Sequence, residues 1–462
     1  MTDGIRIYRG TNQIGGIVTE IRKDDHRILI DFGANLPGSK GDAAKDTEVV
    51  SRVFGEDGAA VKTDAVLFTH YHGDHVGLKG FIPPQITMYV GNTAKEIMKI
   101  VAARVDYMKK KSGSPDAPEL PVIERMKPYW QAGMVKDFEG IRVKPLICDH
   151  SALDAYMFVI EMNDKKILYT GDFRDHGIPG EDTFEKMIRE KVGKVDILVT
   201  EGTMVSRFEE DKSNPVHTED ELGEKASEIF KSHHENVVLV SSTNLDSIME
   251  FYHAVPEDKV FLCDPYQAEV MKAAIEARYR YYEKYRFKKQ IYVLCPGEYD
   301  GYMKSLSEYR IPGTKRCPFS MAIPEIYLEK GFVMLARPNR NPDQDTGRFE
   351  ERMLDMRDPH IIYSMWKGYL KGGSKAEDPA VVRFMDGYMD REHMEVLHTS
   401  GHACVETLKK LMDMTDPEII IPMHTEDADA FNRVPLFKDY KDRIRMIDDG
   451  ELFGIETGED YR

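Results

Sequence analysis

Cysteine is scarce in this chain of 462 residues, and its pattern is uninformative: Cys148, Cys263, Cys295, Cys317 and Cys404 form no C-x-x-C pair, and their number is odd. A disulfide framework and a thiolate-built zinc finger are both set aside. Long apolar runs are missing too, and nothing approaches the roughly 20 residues that cross a bilayer, so no membrane partner is expected. The opening Met1-Thr2-Asp3-Gly4-Ile5-Arg6 lacks the basic segment and apolar core of a secretory signal, and a cytoplasmic location is the expectation. Positive charge is in short supply: 63 Lys and Arg face 80 Asp and Glu, a net charge of −17. That balance argues against nucleic-acid binding by the surface as a whole. A local groove stays open, because a carboxylate-rich metal site itself adds negative charge. What remains is the composition of a soluble globular protein, 41% hydrophobic and 31% charged, long enough for two or three domains with real cores.

The richest stretch is His70-Tyr71-His72-Gly73-Asp74-His75, directly after the apolar run Ala65-Val66-Leu67-Phe68-Thr69. In an extended segment positions 70 and 72 point the same way, so two imidazoles converge on one ion. Gly73 throws Asp74 and His75 off that line, toward a second ion beside the first. Two adjacent metals suit the splitting of a phosphodiester or an ester. Histidine and aspartate donors suit zinc first, and also manganese or iron.

Short strands closed by turns are predicted at Gly4–Tyr8, Ile17–Ile21, Arg27–Asp31 and Ala65–Thr69, followed by a helix near Thr93–Lys111. Strands resume at Ile141–Cys148, Tyr156–Glu161, Lys166–Thr170 and Asp196–Thr200. Beyond about residue 205 the texture changes to strands alternating with helices: helix Glu219–Ser232, strand Asn236–Ser241, a helix from Ser247, strand Lys259–Cys263. That alternation indicates an α/β unit with a parallel sheet. Pro338–Asp345 and Lys371–Asp378 read as loops, and Glu395–Leu397 and Glu418–Met423 as strands ending in histidine-bearing turns. No internal repeat or low-complexity segment is present.

The H-x-H-x-D-H pattern of residues 70–75 resembles the signature of the metallo-β-lactamase superfamily. Three further polar residues close apolar runs in the order that resemblance implies: His150 in Cys148-Asp149-His150-Ser151, Asp172 in Thr170-Gly171-Asp172-Phe173-Arg174, and His424 in Pro422-Met423-His424-Thr425-Glu426. Singly each is ordinary, a surface histidine or a Gly-Asp turn. As a set they imply His70, His72 and His150 on one ion, Asp74, His75 and His424 on the other, and Asp172 bridging both. Asp31, in Ile30-Asp31-Phe32-Gly33, resembles the supporting aspartate behind such a site.

Further motifs resemble the β-CASP nucleases, most closely the ribonuclease J group. Glu201-Gly202-Thr203 is similar to their acidic motif A, and His398-Thr399-Ser400-Gly401-His402-Ala403 to the H-x-S-G-H-A signature with motif B at its second histidine. His424 matches motif C, and Asp149-His150-Ser151 with Asp154 also fits this group. The resemblance covers residues 4 to 205 and 390 to 455. It implies an αββα metallo-β-lactamase sandwich in two pieces, residues 1–204 and 391–462, with an α/β β-CASP domain inserted at 205–390. It further implies two divalent ions, single-stranded RNA as substrate, endonuclease or 5′-exonuclease action and a homodimer. On that reading the metals supply a hydroxide nucleophile from bridging water, with Asp74 among the residues that hold them. His402 protonates the leaving oxygen, kept charged by Glu201. His398, Ser400 and the amides around Gly401 cradle a substrate phosphate.

Two departures stand against that pattern: no further C-terminal domain follows before Arg462, and no T-G-S-Q-G-E-P-like segment is present. Val333–Arg337 with Pro338-Asn339-Arg340 takes its place, and Asp345-Thr346-Gly347-Arg348 matches poorly. The basic and aromatic strip Arg278–Lys289 reads as a solvated helix face over packed aromatics, with nucleic-acid contact as the other option. Lys109-Lys110-Lys111 reads as charge at a helix end, Trp366 as core or domain-interface packing, and His176, His233 and His234 as structural. The leading expectation is a ribonuclease. The runner-up is a dinuclear hydrolase of a small ester or phosphodiester, which a closed pocket in place of a basic groove would favour. A non-catalytic subunit with a decayed site is disfavoured, since every ligand position is filled.

Overall fold

Three sheets carry the structure, and the chain fills them in turn before returning to two of them at its end. The computed structural model describes residues 2–36, 44–55, 61–131, 133–208, 214–278, 282–286, 289–294, 314–316, 323–337, 356–370, 378–388 and 394–461. The first sheet takes β1 (Gly4–Arg9), β2 (Val18–Lys23), β3 (His26–Ile30), β4 (Lys62–Leu67), β5 (Thr87–Val90) and β6 (Lys127–Pro128). The second takes β7 (Lys136–Phe138), β8 (Ile141–Cys148), β9 (Ala155–Met162), β10 (Lys165–Tyr169) and β11 (Ile197–Glu201). The third takes β12 (Glu235–Val240), β13 (Val260–Cys263), β14 (Ile291–Val293), β15 (Thr314–Arg316), β16 (Phe332–Ala336), β17 (Pro359–Ser364) and β18 (Met394–Val396). The chain then adds β19 (Ile419–Met423) beside β11 in the second sheet, and β20 (Leu452–Gly454) and β21 (Asp460–Tyr461) beside β1 in the first.

Local chemistry explains the pairing. Asn163 and Asp164, between β9 and β10, both take positive φ (49° and 55°), the conformation that a tight two-residue hairpin requires and that Asn and Asp tolerate. In the third sheet all pairings are parallel. Its central strands β12 and β16 are buried at every position, as strands covered on both faces must be.

The first two sheets face each other. Ile5, Ile21, Ile30 and Leu67 from one pack with Val143, Phe158, Ile160 and Val199 from the other in one core. Outside the first sheet lie helices Asp46–Phe54 and Asn92–Ser112; outside the second lie Glu181–Met187 and Val405–Thr415. The arrangement is an αββα sandwich, as the sequence implied. The third sheet packs one face on helices Glu219–Ser232, Leu245–Ala254 and Pro265–Arg278. Those helices share a continuous apolar core with the outer layer of the first sheet, so the insertion is fused to the sandwich along one side. The C-terminal ends of its strands turn toward the histidine cluster: Tyr71 OH donates to the Thr243 carbonyl just past β12, and Ala152 bridges to Asn244.

Several expectations change. Met394–Val396 belongs to the third sheet, so the chain leaves that sheet a few residues after position 390. Of the Arg278–Lys289 strip, Arg278 belongs to the helix Pro265–Arg278, and Glu283–Tyr285 is a single turn with Tyr285 buried and donating to Asp246. Tyr279 to Tyr281 and Phe287 and Lys288 of that strip lie outside the described residues, as do Pro338–Asp345, Lys371 to Ala376 with Glu377, Asp345–Arg348, Cys295 and Cys317. Trp366 packs under the Arg207 guanidinium, which stands 4.2 Å above its ring. Among the described residues no helix is long and apolar enough to cross a membrane.

Candidate metal centre

Every residue of the expected ligand set sits just beyond the end of a strand. His70, His72, Asp74 and His75 follow β4, His150 follows β8, Asp172 follows β10 and His424 follows β19. The strands are buried and fixed, so the side chains at their mouths inherit that rigidity. Their donor atoms fall into trios whose members all lie within 4.8 Å of one another: His70 with His72 and His150, Asp74 with His75 and His424, and Asp172 with His70 and His75. An Asp172 oxygen stands centrally, 3.1 Å from His75 Nε2, 3.6 Å from His424 Nε2 and 3.9 Å from His70 Nε2.

Hydrogen bonds decide which nitrogen each imidazole turns inward. Asp31 accepts Nδ1–H from His75 at 2.8 Å. The Thr69 hydroxyl donates to Asp31 at 2.8 Å and so is left to accept Nδ1–H from His70 at 3.0 Å. The Thr203 hydroxyl donates to the His424 carbonyl at 3.2 Å and accepts Nδ1–H of the same residue at 2.8 Å. The Gly401 carbonyl, which can only accept, takes Nδ1–H of His150. Four rings therefore present a bare Nε2 to one small volume, the arrangement by which outer partners fix the tautomer of metal-binding histidines. His72 turns its Nδ1 toward His150 Nε2 at 3.4 Å. Two nitrogens bound at about 2.1 Å to one tetrahedral ion stand about that far apart.

These residues fit divalent ions on an observation of their own. Among the described residues the buried atoms His70 Nε2, His75 Nε2 and Asp172 Oδ1 have no hydrogen-bond partner. A buried polar atom left unsatisfied costs about 1–3 kcal/mol, and three of them converging on one space call for a cation. The electrostatics agree. Burial depresses His75, but the carboxylates of Asp172, Asp31 and Asp74 outweigh it and raise its pKa well above the usual value, so they draw a proton onto the ring where a bound cation would displace it. Burial pulls His150 down, helped by His72, and takes His72 to about 4, so both are neutral bases at pH 7.

Glu201, at the end of β11, is fully buried and accepts backbone N–H groups from Phe173 (3.1 Å), Ala403 (3.3 Å) and Thr203 (3.4 Å), together with Nδ1 of His402 at 3.0 Å. Its oxygens are used up in holding His402. Burial lowers the pKa of that imidazole, but Glu201 and then Asp172 outweigh it and the net shift is upward. His402 is partly exposed and can meet a reactant. His398 keeps an unpartnered buried Nδ1, while its carbonyl accepts from Asn214 at 2.8 Å. Ser400 uses its hydroxyl to accept the His402 N–H at 3.1 Å.

Sequence reading missed Thr69 and Thr203, which orient candidate ligands, and Arg174, which donates to the Ser400 carbonyl at 3.0 Å; His176, read as structural, donates to the same carbonyl at 2.9 Å. The two threonines stand beside recognised motif residues, which was their one available signal. Asp154, singled out for its resemblance, accepts Thr93 N–H at 2.8 Å and caps the helix Asn92–Ser112.

Comparison with known proteins agrees with this geometry. Residues 26–240 match the model of the Beta-lactamase superfamily domain, and residues 391–434, which carry His398, His402 and His424, match the Zn-dependent metallo-hydrolase RNA specificity domain. Among solved structures the chain is similar to a protein of unknown function from Enterococcus faecalis V583, with a TM-score of 0.69 and 18% identity over 98% of this chain and 99% of that one. That likeness extends the fold to the insertion. The chain thus has an α/β fold of mixed sheets that includes a metallo-β-lactamase-fold domain, and its residues 391–434 are similar to the RNA specificity domain named above.

Proposed function

We propose that this protein is a metal-dependent phosphodiesterase that cleaves single-stranded RNA in the manner of the ribonuclease J group. The observation that carries the reading is the pairing, on one side of Asp172, of a buried carboxylate with a partly exposed imidazole: Glu201 and His402, 3.0 Å apart, with Asp172 itself 3.6 Å from His402. Glu201 and His402 also stand close to Asp172 and His424, and Glu201 takes three backbone N–H groups besides the His402 ring, which fixes that imidazole in place.

In this reading His70, His72 and His150 hold one divalent ion, Asp74, His75 and His424 the other, and Asp172 both, with zinc first and manganese second. Ions held there supply an activated water and positive charge opposite the phosphorus. Asp31, Thr69, Thr203 and the Gly401 carbonyl keep the imidazoles turned for the task. His402, held protonated by Glu201, gives its proton to the leaving oxygen. The spare Nδ1 of His398 and the Ser400 hydroxyl are the groups nearest in sequence to receive a neighbouring phosphate. Support for RNA over a small substrate comes from the RNA-specificity match across residues 391–434. The net charge of −17 favours a small ester or phosphodiester instead, and experiment separates the two.

The test is cleavage of 5′-monophosphorylated, end-labelled single-stranded RNA with added zinc or manganese, by the intact chain and by Asp74→Ala and His402→Ala. Metal-dependent cleavage lost in both variants is the expected result. A chain that takes up two metals yet leaves RNA intact moves the assignment to the small-substrate hydrolase.

A further inference from the structure

The Ser400 carbonyl oxygen is gripped by two donors, Arg174 Nη1 at 3.0 Å and His176 Nε2 at 2.9 Å. Arg174 has no solvent exposure. Its guanidinium also meets Asp149 through Nε (3.3 Å), Glu219 through Nη1 (2.9 Å) and Asp246 through Nη2 (2.8 Å). Asp149 and Arg174 belong to the sandwich, whereas Glu219 and Asp246 stand at the start of helices Glu219–Ser232 and Leu245–Ala254 of the insertion. Glu219 takes the Thr399 hydroxyl as well, at 2.6 Å, and the Ser247 hydroxyl. Asp246 takes Tyr285 OH and the Ile178 N–H.

A buried cluster of one guanidinium and three carboxylates is a poor source of stability, because desolvation consumes most of the attraction. What such a cluster fixes is position. The position fixed here is that of residues 399 and 400, and the next two residues act on the metal centre: the Gly401 carbonyl turns the His150 ring, and His402 stands on Glu201. There is no slack at this point, since a Cβ on Gly401 would lie 2.5 Å from Ser151 Oγ and 3.3 Å from the His150 ring.

We infer that Arg174 is a positioning residue: by holding the Ser400 carbonyl against Glu219 and Asp246, it makes seating of the insertion and orientation of His150 and His402 a single event. The inference rests on the reading of His150 as a metal ligand, proposed above. Arg174 touches neither reactant nor ion. It acts through the Ser400–Gly401 peptide.

Cobalt(II) titration of the full-length chain tests it, with visible absorption reporting ligand geometry and chelator competition reporting affinity. Wild type is compared with Arg174→Met, Arg174→Lys and Asp246→Asn, each checked for a cooperative thermal transition. A misoriented ligand histidine typically lowers metal affinity roughly 10–100-fold, and that loss, with a shifted cobalt band, is expected for Arg174→Met. Arg174→Lys recovers part of it, and Asp246→Asn moves the same way by less. On RNA, kcat falls while KM holds. A folded Arg174→Met chain with wild-type cobalt affinity and band overturns the inference. If that variant does not fold, Asp246→Asn decides by the same readout. Wild type that takes up no cobalt removes the metal reading itself, and the inference with it.

Discussion

His150 gives its Nδ1–H to the carbonyl of Gly401, a residue 251 positions further along the chain. The bond joins the turn after β8 to the loop after the insertion, so the metal centre is complete only when both ends of the sandwich are in place. Its chemistry makes the neighbourhood of that bond open to direct tests.

Gly401→Ala forces a methyl group against Ser151 and His150. Both neighbours are short or ring-fixed, so the loop itself must move. Overpacking of this kind costs about 1–3 kcal/mol. The expected outcome is a lower melting temperature together with weakened zinc retention under chelator challenge, measured as zinc per chain by atomic emission.

Thr203→Val keeps the shape of the side chain but removes the oxygen that orients His424. The buried Nδ1–H loses its acceptor, at about 1–3 kcal/mol, and the ring is free to turn. Reduced retention of the ion proposed to sit on Asp74, His75 and His424 is expected, and Thr203→Ser should restore it. Equal metal retention in the valine and serine variants would contradict the assignment.

Asp175 links stability to pH. It accepts the Thr407 hydroxyl at 2.6 Å and Lys410 Nζ at 3.1 Å. Burial opposes its charge, but His176, Thr407 and Lys410 prevail and bring its pKa from 3.8 down to about 2. A carboxyl with a depressed folded pKa adds stability that is fully present above its unfolded value of 3.8 and is lost as pH falls toward 2. The shift corresponds to about 2 kcal/mol. Urea unfolding at pH 5 and pH 3 should show a smaller drop for Asp175→Asn than for wild type; parallel drops would refute the linkage.

Tyr71 lies between two ligand histidines, yet its hydroxyl faces away from them. It donates to the Thr243 carbonyl at 3.1 Å and accepts the Leu153 N–H at 3.0 Å. Tyr71→Phe strands that buried N–H, and a loss of about 1–3 kcal/mol in unfolding free energy is expected. Zinc content should be unchanged, because no ligand atom is altered.

Much of this was legible from residue order alone, for reasons the structure makes plain. The strands Ile141–Cys148 and helix Glu219–Ser232 coincide with their apolar periodicity, because each sits in one unbroken environment. The candidate ligand set could be drawn from residue order because those residues stand at strand ends and the motif compresses four of them into six positions. Illegible were the groups whose role depends on what folds against them. Arg174 reads as an ordinary residue after Gly-Asp-Phe until Glu219, Asp246 and Ser400, remote in the chain, close around it. Within the Arg278–Lys289 strip the partner of Tyr285 was equally hidden, since Asp246 lies 39 positions away in the chain. Edge strands β6 and β7, of two and three residues, are too short for any periodic signal.

The strands β11 and β19 are immediate parallel neighbours, with Glu201 opposite Met423. The chain therefore departs from the sandwich and re-enters it through adjacent doorways, with the insertion and then the sandwich helix Val405–Thr415 between the two strands in sequence. The insertion's footing on the sandwich runs through Arg174 on Glu219 and Asp246, Tyr71 on Thr243 and Thr399 on Glu219, beside the apolar core that both share.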